Sequence, residues 1–169
     1  MAGVAQQYLT FIIAEEQFAI PILAVQEIRG WERVTAVPRS PAAVLGVISL
    51  RGTVVPVVSL RTRLSLPATE LTATTVVIVV RVQVEGGGTH TIGCVVDGVS
   101  DVVALDPETI NPAPEACGSI DRTFIQGVAA SDGSMVMLLD LPRLVGSDAD
   151  VSGLPAGSGD ADRAASHFA

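Results

Sequence analysis

Two stretches of the chain, GVISLRGTVVPVVSLRTRL at 46–64 and GVAASDGSMVMLLDLPRLV at 127–145, align without a gap at an offset of 81 residues. Gly46-Val47 meets Gly127-Val128, Gly52 meets Gly133, Leu60 meets Leu141 and Leu64 meets Val145, with apolar runs between them. A second echo, at an offset of 74, sets Val25-Gln26-Glu27-Ile28 against Val99-Ser100-Asp101-Val102 and Pro38 against Pro112. The repeated order of turn, apolar strand and short terminal turn predicts two like β units of roughly 60 to 70 residues, each with about five strands. Units that small have much surface for their volume, so they should pack on a common apolar seam, and closure into barrels would remove their sheet edges. The cleft between them is the natural place for a ligand or a partner element.

Of the 169 residues 49% are hydrophobic but only 4% aromatic, so Val, Ile and Leu must fill the core, and these favour strands. Strands are predicted at Tyr8–Ile13, Phe18–Ile28, Arg33–Pro38, Val47–Leu50, Thr53–Leu60, Val76–Val84, Thr89–Val96, Val99–Leu105, Phe124–Ala129 and Met135–Leu139. Arg51-Gly52 and Glu85-Gly86-Gly87-Gly88 mark hairpin turns. Short helical turns are expected at Ala42–Leu45, opened by Pro41, and at Leu60–Leu66, while Asp140–Val145 ends the periodic part. Pro56 has no N–H for a ladder and predicts an edge or bulged strand. In Val76–Val84, alternation sets Ile78, Val80, Val82 and Val84 against Val77, Val79, Arg81 and Gln83, leaving one face solvated toward its end. Residues 146–169, rich in Gly, Ser, Ala and Asp, read as a flexible acidic tail with little apolar surface to offset the entropy of ordering.

The net charge of -8 is wrong for a phosphate-backbone binder, although all ten basic residues are arginine and six fall between Arg29 and Arg63. No nucleic-acid partner is expected. Cys94 and Cys117 are too few for a metal site or a disulfide framework; they read as a buried strand cysteine and a loop cysteine, and no cofactor is expected. MAGVAQQYLTF lacks the pattern of a secretory signal and TTVVIVVRVQVEG is too short to cross a bilayer, so a cytoplasmic protein without direct membrane insertion is expected. Ser49, Ser59 and Ser65 have no nearby histidine, and Gly86-Gly87-Gly88 lacks the Lys-Ser/Thr of a phosphate loop. Glu27, Asp97, Asp101 and Asp140 leave a small carboxylate hydrolase as the competing class, and a purely structural module as a third. Arg51, flanked by apolar residues, can cover hydrophobic surface with its stem while its guanidinium meets a carboxylate, for which Glu27 is the attractive partner; the alternative is a solvated turn arginine. The second copy puts Asp132 where the first has Arg51, so the charge is what distinguishes the copies.

YLTF at 8–11, FAIPILAVQEIRG at 18–30, VP at 37–38, GVISLRGTVVPVVSLRTRL at 46–64, IGCVVDGVSDVV at 92–103, FIQGVAASDG at 124–133 and MLLDLPRLV at 137–145 together resemble the CheW family of chemotaxis coupling proteins. The resemblance runs in order over about residues 7–145 and is most specific in the LRG-x-V-x-P segment. It implies a mostly β fold of two five-stranded SH3-like barrels on a shared core: subdomain 1 at about 15–72 and subdomain 2 at about 73–145, with the terminal segments exchanged. It further implies a non-enzymatic adaptor, monomeric alone and part of a larger signalling array. Such an adaptor joins the cytoplasmic hairpin tip of methyl-accepting chemoreceptors, packed in the groove between subdomains, to the regulatory domain of the histidine kinase CheA, met by strand ends. Service in a receptor-kinase pathway of surface motility or development is the alternative. By motif, Val25, Glu27, Arg51, Gly52, Val54 and Pro56 are the receptor-facing or groove-supporting set, with Glu27 and Arg51 paired; Val95, Asp97, Gly98 and Val99 are a looser interaction set. Ser59 stands where the family often has Asp, and the length fits a stand-alone adaptor.

Overall fold

An apolar run such as VVIVV at 76–80 is stable as a strand when both faces meet apolar neighbours. The computed structural model describes residues 5–32, 34–36, 38, 43–67, 74–84, 88–114, 120, 122–131 and 133–146. Cys117, Pro41-Ala42 and the expected tail beyond Gly146 lie outside them. The strands are β1 (Gln6–Ile13), β2 (Glu16–Pro21), β3 (Val25–Gly30), β4 (Val44–Leu50), β5 (Thr53–Ser59), β6 (Val76–Val84), β7 (Gly88–Val96), β8 (Gly98–Leu105), β9 (Ile125–Ser131) and β10 (Ser134–Leu139). The short helices α1 (Leu60–Arg63) and α2 (Leu141–Gly146) follow β5 and β10, and 3₁₀ turns occupy Ile22–Ala24, Pro107–Thr109 and Arg122–Phe124.

Sheet one runs β3-β6-β7-β5-β4 and sheet two β8-β1-β2-β10-β9. Strand for strand the paths are the same, with β1 and β2 completing the sheet that β8, β9 and β10 begin. Register keeps the sequence offsets: Val57 lies opposite Gly93 in sheet one as Leu138 lies opposite Ala19 in sheet two. Even the bulge repeats, skipping Gln26 in β3 and Ser100 in β8.

The expected barrels are not formed. Each sheet is an open ladder with two unjoined edges, β3 and β4 in one and β8 and β9 in the other. The reason lies in the connections. The segment after β3 lays Thr35 against β4, where Thr35 and Val47 exchange both backbone hydrogen bonds at 2.9 Å. Asn111 does the same to Val128 of β9 at 2.8 Å. These bridges take up edge groups that closure would have needed, and they cover the edges without it.

Three cores result. Leu9, Phe11, Phe18 and Ile20 of sheet two meet Val58, Ile78, Val80 and Cys94 of sheet one, with Leu60, Leu64 and Leu144, in the shared core. The rings of Phe11 and Phe18 stack at 6.2 Å within it. The other face of sheet one curls around Ile48, Val55, Val57, Val77 and Val79, and that of sheet two around Tyr8, Ala19, Val136 and Leu138. Val77, Val79 and their neighbours are therefore buried on both faces, and the predicted solvated face begins only at Arg81 and Gln83.

Other expectations are corrected by the same packing. Phe18–Ile28 is not one strand, because the chain leaves sheet two at Pro21 and enters sheet one at Val25. Val44 and Leu45 belong to β4, since Val44 pairs with Val58 and packs in the shared core. Among the described residues of 33–38, Thr35 makes a bridge to Val47 and no strand is formed. Pro56 lies in an interior strand; its pairing with β7 starts one residue later, at Val57, so the missing N–H falls where no β7 partner stands.

Gly46 and Gly127 make the edge bridges possible. A Cβ on Gly46 would lie 2.4 Å from the Thr35 carbonyl oxygen, and one on Gly127 would lie 2.7 Å from that of Asn111. Gly46→Ala and Gly127→Ala are each expected to lower the unfolding free energy by about 1 to 3 kcal/mol through overpacking, read as a fall in urea midpoint with an unchanged slope.

Candidate interaction surface

β3 is an edge strand that alternates half-buried Val25, Glu27 and Arg29 with exposed Gln26, Ile28 and Gly30. At the other edge of the same sheet, β4 and β5 are joined by two residues, with Leu50 opposite Thr53. Arg51 at φ 52° and Gly52 at φ 83° are both left-handed, as such a turn requires. Glycine adopts this freely; arginine does so at a cost of about 1 to 2 kcal/mol. From there Arg51 Nη2 donates to Glu27 Oε2 at 2.8 Å. The ion pair thus crosses the mouth of sheet one, where no backbone ladder joins the edges. Arg51 is 76% exposed and Glu27 24%, so water screens the pair and its stabilisation is about 1 kcal/mol or less.

Glu27 is shared. Its Oε1 lies 3.6 Å from Arg29 Nη1, and Arg29 Nη2 lies 2.9 Å from Glu32 Oε1. A rim of alternating charge, Arg51, Glu27, Arg29 and Glu32, therefore borders the exposed Ile28. Arg29 and Glu32 are absent from the sequence-derived set, although the E-x-R-x-x-E spacing carries them. Gly52 lies on the same turn, Val54 and Pro56 are buried behind it in β5, and Val25 packs half-buried on the shared core.

The looser set lies where the chain passes from β7 to β8. Val95 belongs to the core of sheet one and Val99 packs on the shared core. Asp97 is fully engaged: Arg61 Nε donates to Oδ1 at 3.0 Å and Nη2 to Oδ2 at 2.6 Å. The Ala14 N–H donates to Oδ2 at 2.9 Å, and the Asp97 N–H donates to the Ile12 carbonyl at 2.9 Å. Arg61 Nη1 donates to the Pro67 carbonyl at 2.6 Å. The clasp ties α1, which hangs from sheet one, to the β1–β2 turn of sheet two, whose Ala14 and Glu15 are left-handed at φ 53° and 69°. The paired Arg61 guanidinium holds the Asp97 carboxyl below its ordinary value of 3.8, against desolvation and with help from the Ala14 N–H. Nothing in local spacing points to Arg61.

Between the sheets, beside the Ile22–Ala24 turn, opens a groove of about 530 Å³, walled by Pro21, Ala24, Arg81, Gln83 and the segment from Leu139 to Pro142. None of the sequence-derived interaction candidates lines it; of the candidate carboxylates, Asp140 does. Among the described residues no group of three His, Cys, Asp or Glu is placed to hold a metal ion. Burial pushes the Cys94 thiol up to about 12, keeping it protonated.

Residues 7–149 match the family described as CheW-like domain. The probable chemotaxis protein CheW of Rhizobium etli is 39% identical over 139 residues, spanning 82% of this chain and 86% of its own. The chemotaxis protein CheW of Klebsiella aerogenes is 38% identical over 145 residues, spanning 86% of this chain and 84% of its own. Among solved structures, the scaffolding protein TtCheW from Thermoanaerobacter tengcongensis superposes with a TM-score of 0.74 at 28% identity, covering 85% of this chain and 89% of that one.

Because the folded-state pKa of Asp97 is depressed, its ionised form favours folding: the contribution is present above about pH 3.8 and is lost as pH falls through the lowered value. Asp97→Asn is expected to cost about 1.5 to 3 kcal/mol near neutral pH. In urea titrations between about pH 2 and 6, the curves of the wild-type chain and of the Asp97→Asn variant should converge at the acid end.

Proposed function

The chain belongs to the CheW family of chemotaxis coupling adaptors, non-enzymatic proteins that link chemoreceptors to the kinase CheA, and on that premise we propose how its surfaces divide the work. The rim of β3 and the β4–β5 turn, with Glu27 and Arg51 at its centre, receives the cytoplasmic hairpin tip of a receptor. Strand ends elsewhere on the two sheets meet the regulatory domain of the kinase. The two units are the sheets themselves, β3 to β7 in one and β8 to β10 with the terminal strands β1 and β2 in the other, and the chain works in the cytoplasm, held at receptor arrays by its partners. Among the described residues no helix is long and apolar enough to cross a membrane.

The observation that carries the receptor assignment is the Arg51–Glu27 pair at 2.8 Å. Folding gains little from it, because the pair is screened and Arg51 sits in a backbone conformation that glycine adopts more readily. A strained and mostly exposed arginine beside a shared carboxylate has its use in what it presents: a rigid donor fork next to exposed Ile28. The adaptor's mechanism is then geometric. Two partners are held at fixed separation, and phosphotransfer is regulated in the kinase.

Arg51→Gly and Arg51→Glu separate recognition from folding. Arg51→Gly should leave the unfolding free energy equal or raise it by up to about 1 kcal/mol. Arg51→Glu, which puts like charge beside Glu27, should weaken receptor binding by about tenfold or more. Urea unfolding measures the first effect, and co-sedimentation with receptor signalling domains and kinase measures the second. Retained binding by both variants would remove Arg51 from the surface, and absence of co-assembly by the wild-type chain would sink the coupling scheme.

A further inference from the structure

The chain passes between the sheets twice. It leaves sheet two at Pro21 and enters sheet one at Val25 through the Ile22–Ala24 turn, and it returns from Val96 to Gly98 through Asp97 alone. At this second corner Asp97 is held from both sides. Its N–H donates to the Ile12 carbonyl of sheet two, and its carboxylate accepts the Ala14 N–H of sheet two and Nε and Nη2 of Arg61, carried by α1 below sheet one. The Arg61 and Asp97 side chains are 17% and 30% exposed, sheltered where Arg51 at 76% is not.

The backbone is bent to suit this contact. The β1–β2 loop has two residues, with Ile13 opposite Glu16, and such a loop asks for positive φ at both. Ala14 and Glu15 take it, at a steric cost that glycine would not carry. The stretch that joins β6 to β7 in the equivalent place is spelled Glu85-Gly86-Gly87-Gly88. At the first corner, Leu23 stands where Asp97 stands and Pro142 where Arg61 stands, at the offsets of 74 and 81, and neither has a side-chain polar atom with which to build a clasp. The strained turn and the clasp therefore occur together, at one corner of two.

Between the sheets, the shared core of Leu9, Phe11, Val58, Ile78 and Leu144 contributes burial, which has no preferred direction. A guanidinium fork on a carboxylate does have one. Burial holds the sheets together, and the clasp selects one angle between them.

We infer that Arg61 and Asp97 are positioning residues for coupling: their clasp fixes the angle between the sheets, and with it the separation of the partners that the sheets carry. On the coupling scheme proposed above, the receptor sits at the rim of sheet one while the kinase meets strand ends on both sheets. A change of angle then uncouples the two and spares the receptor contact, which lies on sheet one alone. The first corner makes the angle measurable, because Gln83 of sheet one and Gln126 of sheet two both line its groove.

Spin labels at Gln83→Cys and Gln126→Cys, in a chain carrying Cys117→Ser and with Cys94 buried, report the inter-sheet distance by double electron–electron resonance. Arg61→Lys keeps the cation and loses the fork, whereas Asp97→Asn keeps the size and loses the charge. Each should broaden the distance distribution of the wild-type chain. Without labels, each should bind the receptor signalling domain within about twofold of wild type and stimulate the kinase in the ternary assembly about tenfold less, at a temperature where urea titration finds it folded. An unbroadened distribution or undiminished stimulation in Arg61→Lys overturns the inference, as does receptor affinity that falls in step with stimulation. A wild-type chain that fails to assemble with receptor and kinase sinks the coupling scheme, and this role of the clasp with it. If Asp97→Asn does not fold, Arg61→Lys alone decides.

Discussion

Val77 and Ile78 are neighbours on one strand, yet they face two different cores. Each is buried to 2% exposure or less, and a fully buried aliphatic side chain of that size contributes roughly 1.5 to 3 kcal/mol. A strand that must satisfy apolar partners on both faces cannot lie in a flat sheet with one side in water. Each sheet therefore curls around a small core of its own and presses its other face on its twin. The rim at Glu27 and the clasp at Asp97 lie outside these cores, at an edge and at a corner between the sheets. The exposed pair at the rim contributes about 1 kcal/mol or less, so the cores hold the fold and the rim is free to be shaped for recognition.

What is legible in the sequence follows from the range of the forces involved. The turn at Arg51-Gly52 can be read directly, because two-residue hairpins depend on backbone dihedrals, which are local; the turn expected at Glu85-Gly86-Gly87 lies outside the described residues. The pairing of Glu27 with Arg51 can be read too, because Glu27 and Glu32 are the only carboxylates between Gln17 and Thr69. The Arg61–Asp97 contact spans 36 residues and joins two sheets, so no local pattern encodes it. The expectation for Pro56 fails because a missing N–H excludes pairing at one residue, not along a whole strand. The barrels fail for a related reason: the need to protect edges is visible in the sequence, but its solution by Thr35 and Asn111 is not. Those bridges depend on the absence of a side chain at Gly46 and Gly127.

The two copies have kept their backbone and exchanged their chemistry. Bulges, parallel pairs and glycine approaches recur at constant offsets, while Glu27 has Asp101 for its counterpart, Arg61 has Pro142, and Asp97 has Leu23. A scaffold fixed by aliphatic packing tolerates such divergence at its rims and corners, since the cores carry most of the folding energy. What distinguishes the halves is this rim and corner chemistry, not the scaffold that they share.

Sheet one is drawn from a continuous stretch, β3 to β7, whereas sheet two takes β1 and β2 from one end of the chain and β8 to β10 from the other. During synthesis the first sheet can therefore complete itself while the β1–β2 hairpin waits, its Phe11 and Phe18 without most of their eventual partners. Contacts between such distant segments carry the largest loop-closure cost, so the annealing of β1 to β8 and of β2 to β10 is expected to be the slow step of folding. The exchange that binds the halves into one body is thus also what makes its assembly sequential, with the N-terminal hairpin the element most exposed to mispairing before the C-terminal strands emerge.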